Sequence, residues 1–343
     1  TGAYIPASYV DGTRQTFKAN PDYYRSWDEG ARPGFDALEE VVIADRGSFI
    51  AAFISGQVDV VTGVQPQEEA QLQSVKGAQF SVTPGPTWDH FAVNLKMPQF
   101  QDDRVRQAFQ LALDYKAFSD PLGAGWLYGG PVHAMFPESL TSEEIGKMPG
   151  YNPATKAADI ANTQKLMEAA GFPQGQGIKF KQINSAASSL DSSVRLKEMW
   201  SKAFPKMDVA VSTNSDYAQF TSALNGRTYE ARSYNHTSVP DAAIDAYTYY
   251  HTKGGRNYQS YSKPWADEMM DKVLLATTLE ERKSIIQAFE KRYIAEGPPL
   301  LQIRHPADNL AIASHIAGHD LAIGPWAYNS YGVSPRWNWQ TEK

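Results

Sequence analysis

FQDDRVRQAFQLALDYKAF, residues 100–118, sets Val105, Phe109, Ala112 and Leu113 three or four positions apart, the spacing of one helix face. Asp102 and Asp103 precede the apolar run, where a helix N-terminus favours negative charge. Arg104, Arg106 and Lys116 fall on the opposite side and are expected to face solvent. The segment reads as one amphipathic surface helix. What that helix serves depends on the segments around it.

FAVNL, residues 91–95, reads as a strand leading into this helix, and the Pro/Gly-rich TPGPTWDH at 83–90 marks a candidate boundary before it. Further upstream, LEEVVIADRGSFIAAFISGQVDVV at 38–61 reads as a strand, a short helix around Phe49 to Ile54, a turn at Gly56 and a second strand from Val58. Downstream, LGAGWLYGGPVHAMFPES at 122–139 carries no steady period and reads as a long loop, a place where ligands are often bound. A helix over 154–170 sets Ala157, Ile160, Ala161, Met167 and Ala170 on one face and stops at Gly171 and Pro173. The strand IKFKQIN follows. The small, polar SAASSLDSS leads to a helix over Val194 to Phe204, a strand near Val209 and a helix ending at Gly226. This β-α-β-α order indicates an α/β fold. After the strand YEARSY and the loop NHTSVPD come a Tyr-rich helix and two more, over 265–276 and 279–296. Thr278 and Glu281 give the last of these a capping-box pattern, and Ile285, Ile286, Phe289 and Tyr293 give it a buried stripe.

The chain has 343 residues, 42% of them hydrophobic, enough for two or three domains or lobes. A net charge of −6 without any basic run excludes a nucleic-acid partner. The absence of cysteine removes disulfides, thiolate metal sites and cysteine nucleophiles. No stretch reaches the roughly eighteen apolar residues of a membrane span. Eight Trp, 18 Tyr and 15 Phe are a surplus of the kind that lines ligand sites. No G-x-S-x-G, Walker A or H-E-x-x-H motif occurs, so the chain is read as non-enzymatic. The competing reading of another class, a carbohydrate-active hydrolase, rests only on abundant Asp and Glu. His315 and His319 lie four apart in SHIAGHD, but Gly318 interrupts any helix and no third ligand is near, so no metal site is expected.

In their order, these segments resemble the family 5 extracellular solute-binding proteins, receptors of bacterial importers for peptides, nickel complexes and some oligosaccharides. TGAYIPASYVDGTRQTFKANPDYY is similar to the family's stretch from a Gly-Thr-Gly-Pro-Tyr type turn to Asn-Pro-x-Tyr, and FISGQVDVV to its Ser-Gly-x-x-Asp element. The opening helix matches at Phe100, Asp103, Val105, Arg106, Ala108 and Asp114. YNPATKAADIANTQKLMEAAGF resembles the next helix, and NYQSYSKPWADEMMDKVLLATTLEERKSIIQAFEKRYIAEGPPLLQI the C-terminal helical pair with its proline-rich exit.

The resemblance implies an α/β, periplasmic-binding-protein-like fold of the type II or cluster C kind, with two lobes joined by a hinge. In full-length members a long segment precedes the Gly-Thr-Gly-Pro-Tyr type turn, so the first lobe is expected to be incomplete. Residues 1–94 are then a remnant of lobe I, 95–303 form lobe II, and 304–343 return to lobe I. The implied function is that of an extracytoplasmic receptor of an ABC importer. It would close about a hinge near Asn94 and Arg304 and dock on a membrane permease. It would act as a monomer, periplasmic or extracellular, with lipid anchoring through an upstream segment as one arrangement and with no cofactor.

Peptide-binding relatives tend to hold the peptide α-amino group with an Asp in the region of SYNHTSVPD, residues 233–241, where this chain has Asn235, His236, Thr237 and Ser238. NSAASSLDSSV likewise lacks the arginine with which dipeptide-type members hold the carboxylate. With both charges unanswered, a zwitterionic peptide is disfavoured, because a buried unpaired charge costs several kcal/mol. The expected solute is an oligosaccharide or other neutral polar molecule, and an oligopeptide or dipeptide is the alternative. Expected contacts are Trp88 and His90 after the Gly-Pro turn, Trp126 and Tyr128 in the long loop, and Tyr234, Asn235 and His236. Packing in a lobe core or between lobes is the competing role for each aromatic.

Overall fold

The structure, a computed structural model, describes residues 2–23, 34–122, 125–185, 187–213, 216–317 and 338–339. Contacts divide the chain into two units, Thr1–Gly85 with Ala307–Lys343, and Pro86–Pro306.

In the first unit β1 (Tyr4–Val10), β2 (Arg14–Ala19) and β3 (Ala37–Val41) form an antiparallel sheet. The expected strand-helix-strand follows as β3, α1 (Arg46–Ile54) and β4 (Val60–Thr62). The helix α1 starts three residues before Phe49 because Asp45 caps it, accepting the Ser48 N–H at 2.8 Å. After α2 (Pro66–Gln73) and β5 (Gln79–Pro84) the chain leaves this unit.

The second unit opens with β6 (Thr87–Val93) and then the segment read as one helix, which is two: α3 (Asp103–Ala112) and α4 (Tyr115–Ser119). Asp114 divides them by accepting the Ala117 N–H at 2.9 Å, while Leu113 is extended. Asp102 caps α3, as its position suggested. Arg106 does not face solvent. It is 3% exposed and donates to Phe100 O at 2.5 Å and Gly297 O at 2.7 Å, and it pairs with Asp103. The returning chain around Gly297 covers the side of α3 that the period alone assigned to water.

The loop over 122–139 contains one short strand, β7 (Leu127–Tyr128). After α5 (Ser142–Gly146) comes α6 (Lys156–Ala169), whose buried residues are Asp159, Thr163 and Met167. Ala157 and Ala161 are exposed, so the buried face is rotated from the expected one. Asp159 decides this: its carboxylate accepts the Gly150 N–H at 3.0 Å, so the face that packs is the one carrying that bond. Gly171 ends the helix at φ +85°, the left-handed stop read from the sequence.

Then β8 (Lys179–Asn184), α7 (Ala187–Ala203), β9 (Asp208–Thr213), α8 (Tyr217–Gly226) and β10 (Ala231–Thr237) alternate. The serine-rich tract belongs to α7, which begins seven residues before Val194, because Leu196 and Trp200 anchor that helix in the core and outweigh weak serine propensity. The unit continues with α9 (Ala242–Tyr250), α10 (Pro264–Leu275), α11 (Leu279–Ala295) and β11 (Leu300–His305). Thr278 caps α11, but Glu281 reaches the Thr277 N–H at 3.3 Å instead of completing a box with Thr278.

The sheet of this unit has the order β7-β11-β6-β10-β8-β9, with β8 parallel to both β9 and β10 and β6 antiparallel to β10 and β11. On one face Phe91, Phe109, Phe180 and Trp200 form the main core, to which α3, α6 and α7 contribute. On the other, Ile183, Phe220, Leu224 and Tyr229 join α8 to the sheet. After β11 the chain returns to the first unit as β12 (Ala307–Ile312), which lies between β4 and β5, then β13 (Ile316–Ala317), paired with β14 (Asn338–Trp339).

Candidate ligand-binding site

In open α/β sheets ligands bind beyond the carboxyl ends of the strands. In the second unit that edge carries the ends of β8, β9 and β10, and the antiparallel partner β6 brings its first residues to the same edge.

Register decides which side chains meet there. Tyr234 lies opposite His90 and His236 opposite Trp88, so these four and Arg232 share one face of the sheet. Ring centroids of His90 and His236 are 5.0 Å apart and stacked, and the Trp88 ring lies 4.8 Å from His90 and 5.3 Å from His236. Tyr249 of α9 packs edge-on against Trp88 at 4.9 Å. Trp88, His90 and Arg232 are at most 1% exposed, while Tyr234 and His236 are half-buried. Four of the seven expected contacts are therefore neighbours. Trp88 and His90, however, stand in strand β6 instead of a turn, and Trp88 presents no ring face to solvent.

SYNHTSVPD is likewise not a loop over its first half. Ser233 to Thr237 belong to β10, which is held on one side by β6 and, up to Ser233, on the other by β8. The polar side chains suggested a loop, but β6 pairs with the backbone along one side and makes this stretch a strand. Asn235 points to the opposite face, opposite Asp89, and is exposed. Asp89 itself is paired with Arg304 at 2.8 Å.

Trp126 and Tyr128 are elsewhere. β7 lies three strands from β10 in the sheet order, about 14 Å at ~4.8 Å per strand. Trp126 is half-buried, donates from Nε1 to Asp120 at 3.2 Å and packs edge-on against Tyr128 at 5.0 Å.

Two residues escaped the sequence reading. Tyr217, at the start of α8 and 57% exposed, shares a hydrogen bond between hydroxyls with Tyr234 at 2.7 Å. Arg232 is fully buried. Its Nη1 donates to His90 Nε2, its Nε donates to the Tyr229 hydroxyl at 3.4 Å, and its guanidinium carbon lies 5.6 Å from the Tyr258 ring centroid. No described carboxylate pairs with it. The expectation of unanswered charges considered NSAASSLDSSV and SYNHTSVPD and did not weigh Arg232, which precedes the second of these. The signal was available in YEARSY, where Arg232 alternates with Tyr234 on a strand whose Ala231 is apolar.

Burial, reinforced by the neighbouring Arg232, holds His90 and His236 well below the usual imidazole range. Both are expected to remain neutral at pH 6.5, and an NMR titration that protonates either one there would contradict this packing. Among the described residues no cluster of three or more His, Asp or Glu suits a metal. His315 Nε2 donates to Asp59 at 2.8 Å, and His319 lies outside the described residues.

This edge of the mixed sheet is lined by aromatic and polar side chains. Residues 1–257 match the family description "Bacterial extracellular solute-binding proteins, family 5 Middle", and the chain belongs to that family. It is a solute-binding protein, not an enzyme. The periplasmic oligopeptide-binding protein OppA of Haemophilus influenzae is 23% identical over 286 residues, covering 82% of this chain and 51% of OppA. Di/tripeptide-binding protein 3 of Pseudomonas aeruginosa is 21% identical, covering 97% of this chain and 61% of that protein. Among solved structures, the murein tripeptide binding protein MppA of Escherichia coli superposes with a TM-score of 0.80 at 16% identity, over 99% of this chain and 64% of MppA. These likenesses establish the two-lobed α/β periplasmic-binding fold expected from the sequence. The chain spans between about half and two thirds of these relatives' lengths. No described helix is long and apolar enough to cross a membrane.

Proposed function

We propose that the chain belongs to an extracytoplasmic receptor of an ABC importer whose solute is a peptide, received at the carboxyl edge of the second unit's sheet. One observation carries the choice of solute. β10 runs on to Thr237, but its pairing with β8 stops at Ser233, so from Tyr234 onward that strand edge has no partner strand among the described residues. An unpaired strand edge offers alternating N–H and C=O groups to an extended peptide backbone, which a sugar cannot match. The names of the relatives, oligopeptide-binding and di/tripeptide-binding, point the same way.

The oligosaccharide reading drew on aromatic faces and on missing charges. Trp88 is buried, and Arg232 supplies a charge. In this proposal Tyr234, Asn235 and His236 contact the solute directly, with Trp88 and His90 behind them, and Trp126 and Tyr128 meet only longer solutes. In this proposal the lobes follow the two units, 1–85 with 307–343 and 86–306, in place of 1–94 with 304–343 and 95–303, and a permease is the partner. In the same proposal the chain connections Gly85–Pro86 and Pro306–Ala307 take the place of Asn94 and Arg304 as the hinge, since the latter two lie inside the second unit. Export to the periplasm follows from the relatives, and an upstream lipid anchor is compatible with it.

A ligand that binds only the folded state raises the melting temperature, by about 2.7 kcal/mol of stability at a hundredfold excess over Kd. Di- to pentapeptides are expected to stabilise the chain in a thermal-shift screen, while cello-, xylo- and manno-oligosaccharides and nickel chelates leave it unchanged. A shift with sugars alone would overturn the peptide reading.

A further inference from the structure

His133 and His305 are fully buried and stacked, with ring centroids 3.8 Å apart. Each imidazole accepts a backbone N–H at Nδ1: His133 from Met135 at 3.2 Å and His305 from Ala134 at 3.3 Å. A ring that accepts at Nδ1 is neutral and carries its proton on Nε2. The remaining contacts agree. His133 Nε2 donates to the Thr87 carbonyl at 3.3 Å and His305 Nε2 to Gln302 Oε1 at 2.9 Å, while Gln302 Nε2 donates to Pro131 O at 2.8 Å. A second proton on either ring would set an N–H at Nδ1 against the backbone N–H bound there, and two charged rings would repel at stacking distance. Neither ring can therefore be protonated in place. Burial, then the neighbouring His133, accordingly holds His305 well below the usual imidazole range. Charged groups on the elements around the pair have partners of their own: Arg304 with Asp89, Arg282 with Glu138, and Glu290 with the Val132 and Leu140 N–H groups.

The pair also lies where the second unit's chain enters and leaves. Thr87 follows Gly85–Pro86, and His305 precedes Pro306–Ala307. We propose that His133 and His305 form a proton-operated catch, which fixes the second-unit ends of both chain connections to the loop at 131–135 while neutral and frees them when protonated. That the catch governs solute release rests on the function proposed above, in which those connections are the hinge; the catch itself does not.

Hydrogen exchange of the Ala134 and Met135 amides in the unliganded chain, corrected for intrinsic rates, reads the catch directly. A freed imidazole titrates near 6.5, so each released histidine raises the open population about tenfold per pH unit below that value. Glu290 holds the adjacent Val132 N–H and, with its pKa pushed up to about 8, opposes this trend, so the measurement is made in Glu290→Gln. Protection there is expected to stay level above pH 7 and to fall at least about tenfold per unit between pH 6 and 5, while α3 amides keep theirs. Adding His133→Asn and His305→Asn leaves an acceptor near each Nδ1 that does not titrate, and should flatten the profile whatever the variant's absolute stability. Level protection down to pH 5 in Glu290→Gln, a slope that survives the two Asn changes, or an equal loss in α3 would overturn the catch. Ring nitrogen shifts in the parent need no variant: both histidines are expected as the Nε2–H tautomer at pH 6.5, and an Nδ1–H or protonated ring would overturn the catch as well. Peptide affinity that falls from pH 7.5 to 5 in Glu290→Gln but not with the Asn changes would tie the catch to solute release, and level affinity would remove that link. Absence of any peptide binding would remove the proposed function and leave the catch.

Discussion

Gly297→Ala is expected to destabilise the second unit by more than about 3 kcal/mol, visible as a large drop in melting temperature. Gly297 follows α11 with φ +74°, a conformation that costs a non-glycine residue about 1–3 kcal/mol. Space forbids the side chain as well. An added Cβ would collide with the Asp103 carbonyl oxygen and lie 2.8 Å from the Gln107 backbone nitrogen, both in α3. Neither is a flexible side-chain end, so α3 or the turn must move. Movement breaks the bond from Arg106 to Gly297 O and leaves a buried guanidinium short of a partner. A melting temperature within a degree or two of the parent would show that α3 does not pack against this turn as described.

Glu290 is expected to make the chain less stable as pH rises from about 5 to 8, and Glu290→Gln to remove that dependence. The carboxyl is fully buried on α11, where Oε1 accepts the Val132 N–H at 3.1 Å and Oε2 the Leu140 N–H at 2.7 Å. Burial outweighs these two bonds and pushes its pKa from 4.5 up to about 8. Between those values the folded chain holds a proton that the unfolded chain has lost, so unfolding releases one and stability falls as pH rises. The contribution is present in full below the unfolded value, is lost progressively up to about 8, and amounts to a few kcal/mol at most. Gln does not titrate, yet its amide accepts from only one of the two backbone groups. The variant should therefore be less stable at pH 5, and the gap to the parent should narrow by pH 8. Melting curves of both proteins across that range would show it, and a constant gap would mean that Glu290 is ionised throughout.

The same residue explains why the long loop was only partly what its composition suggested. Gly, Pro and aromatics without a period over 122–139 indicated a ligand-binding loop, and the described residues of that range hold the short strand β7 and the end of a 3-10 turn at Leu122. What the composition did not show is that Pro131 O receives the Tyr250 hydroxyl at 2.6 Å and Gln302 Nε2 at 2.8 Å, while Gln287 holds Ser139 O at 3.1 Å. These partners lie 119 to 171 residues away in the chain, beyond the reach of any local pattern. The loop is fastened from behind by α9, α11 and β11.

By itself the sequence determined the alternation of strands and helices from Ile178 to Gly226, several helix ends and the family. Those features depend on short-range physics: the Asp102 cap, the left-handed Gly171 and the apolar period of the segments act within a few residues of themselves. Tertiary structure alone decided that Arg106 is buried, that α6 turns Asp159 inward, and that Trp88 is covered by Tyr249. It also decided the candidate site, because strand register set Arg232, His90 and Trp88 on one face although they come from β10 and β6, more than a hundred residues apart. Period and propensity say which residues share a face of one element. Only the packing of elements against each other says which faces meet, and so which charge is left without a partner.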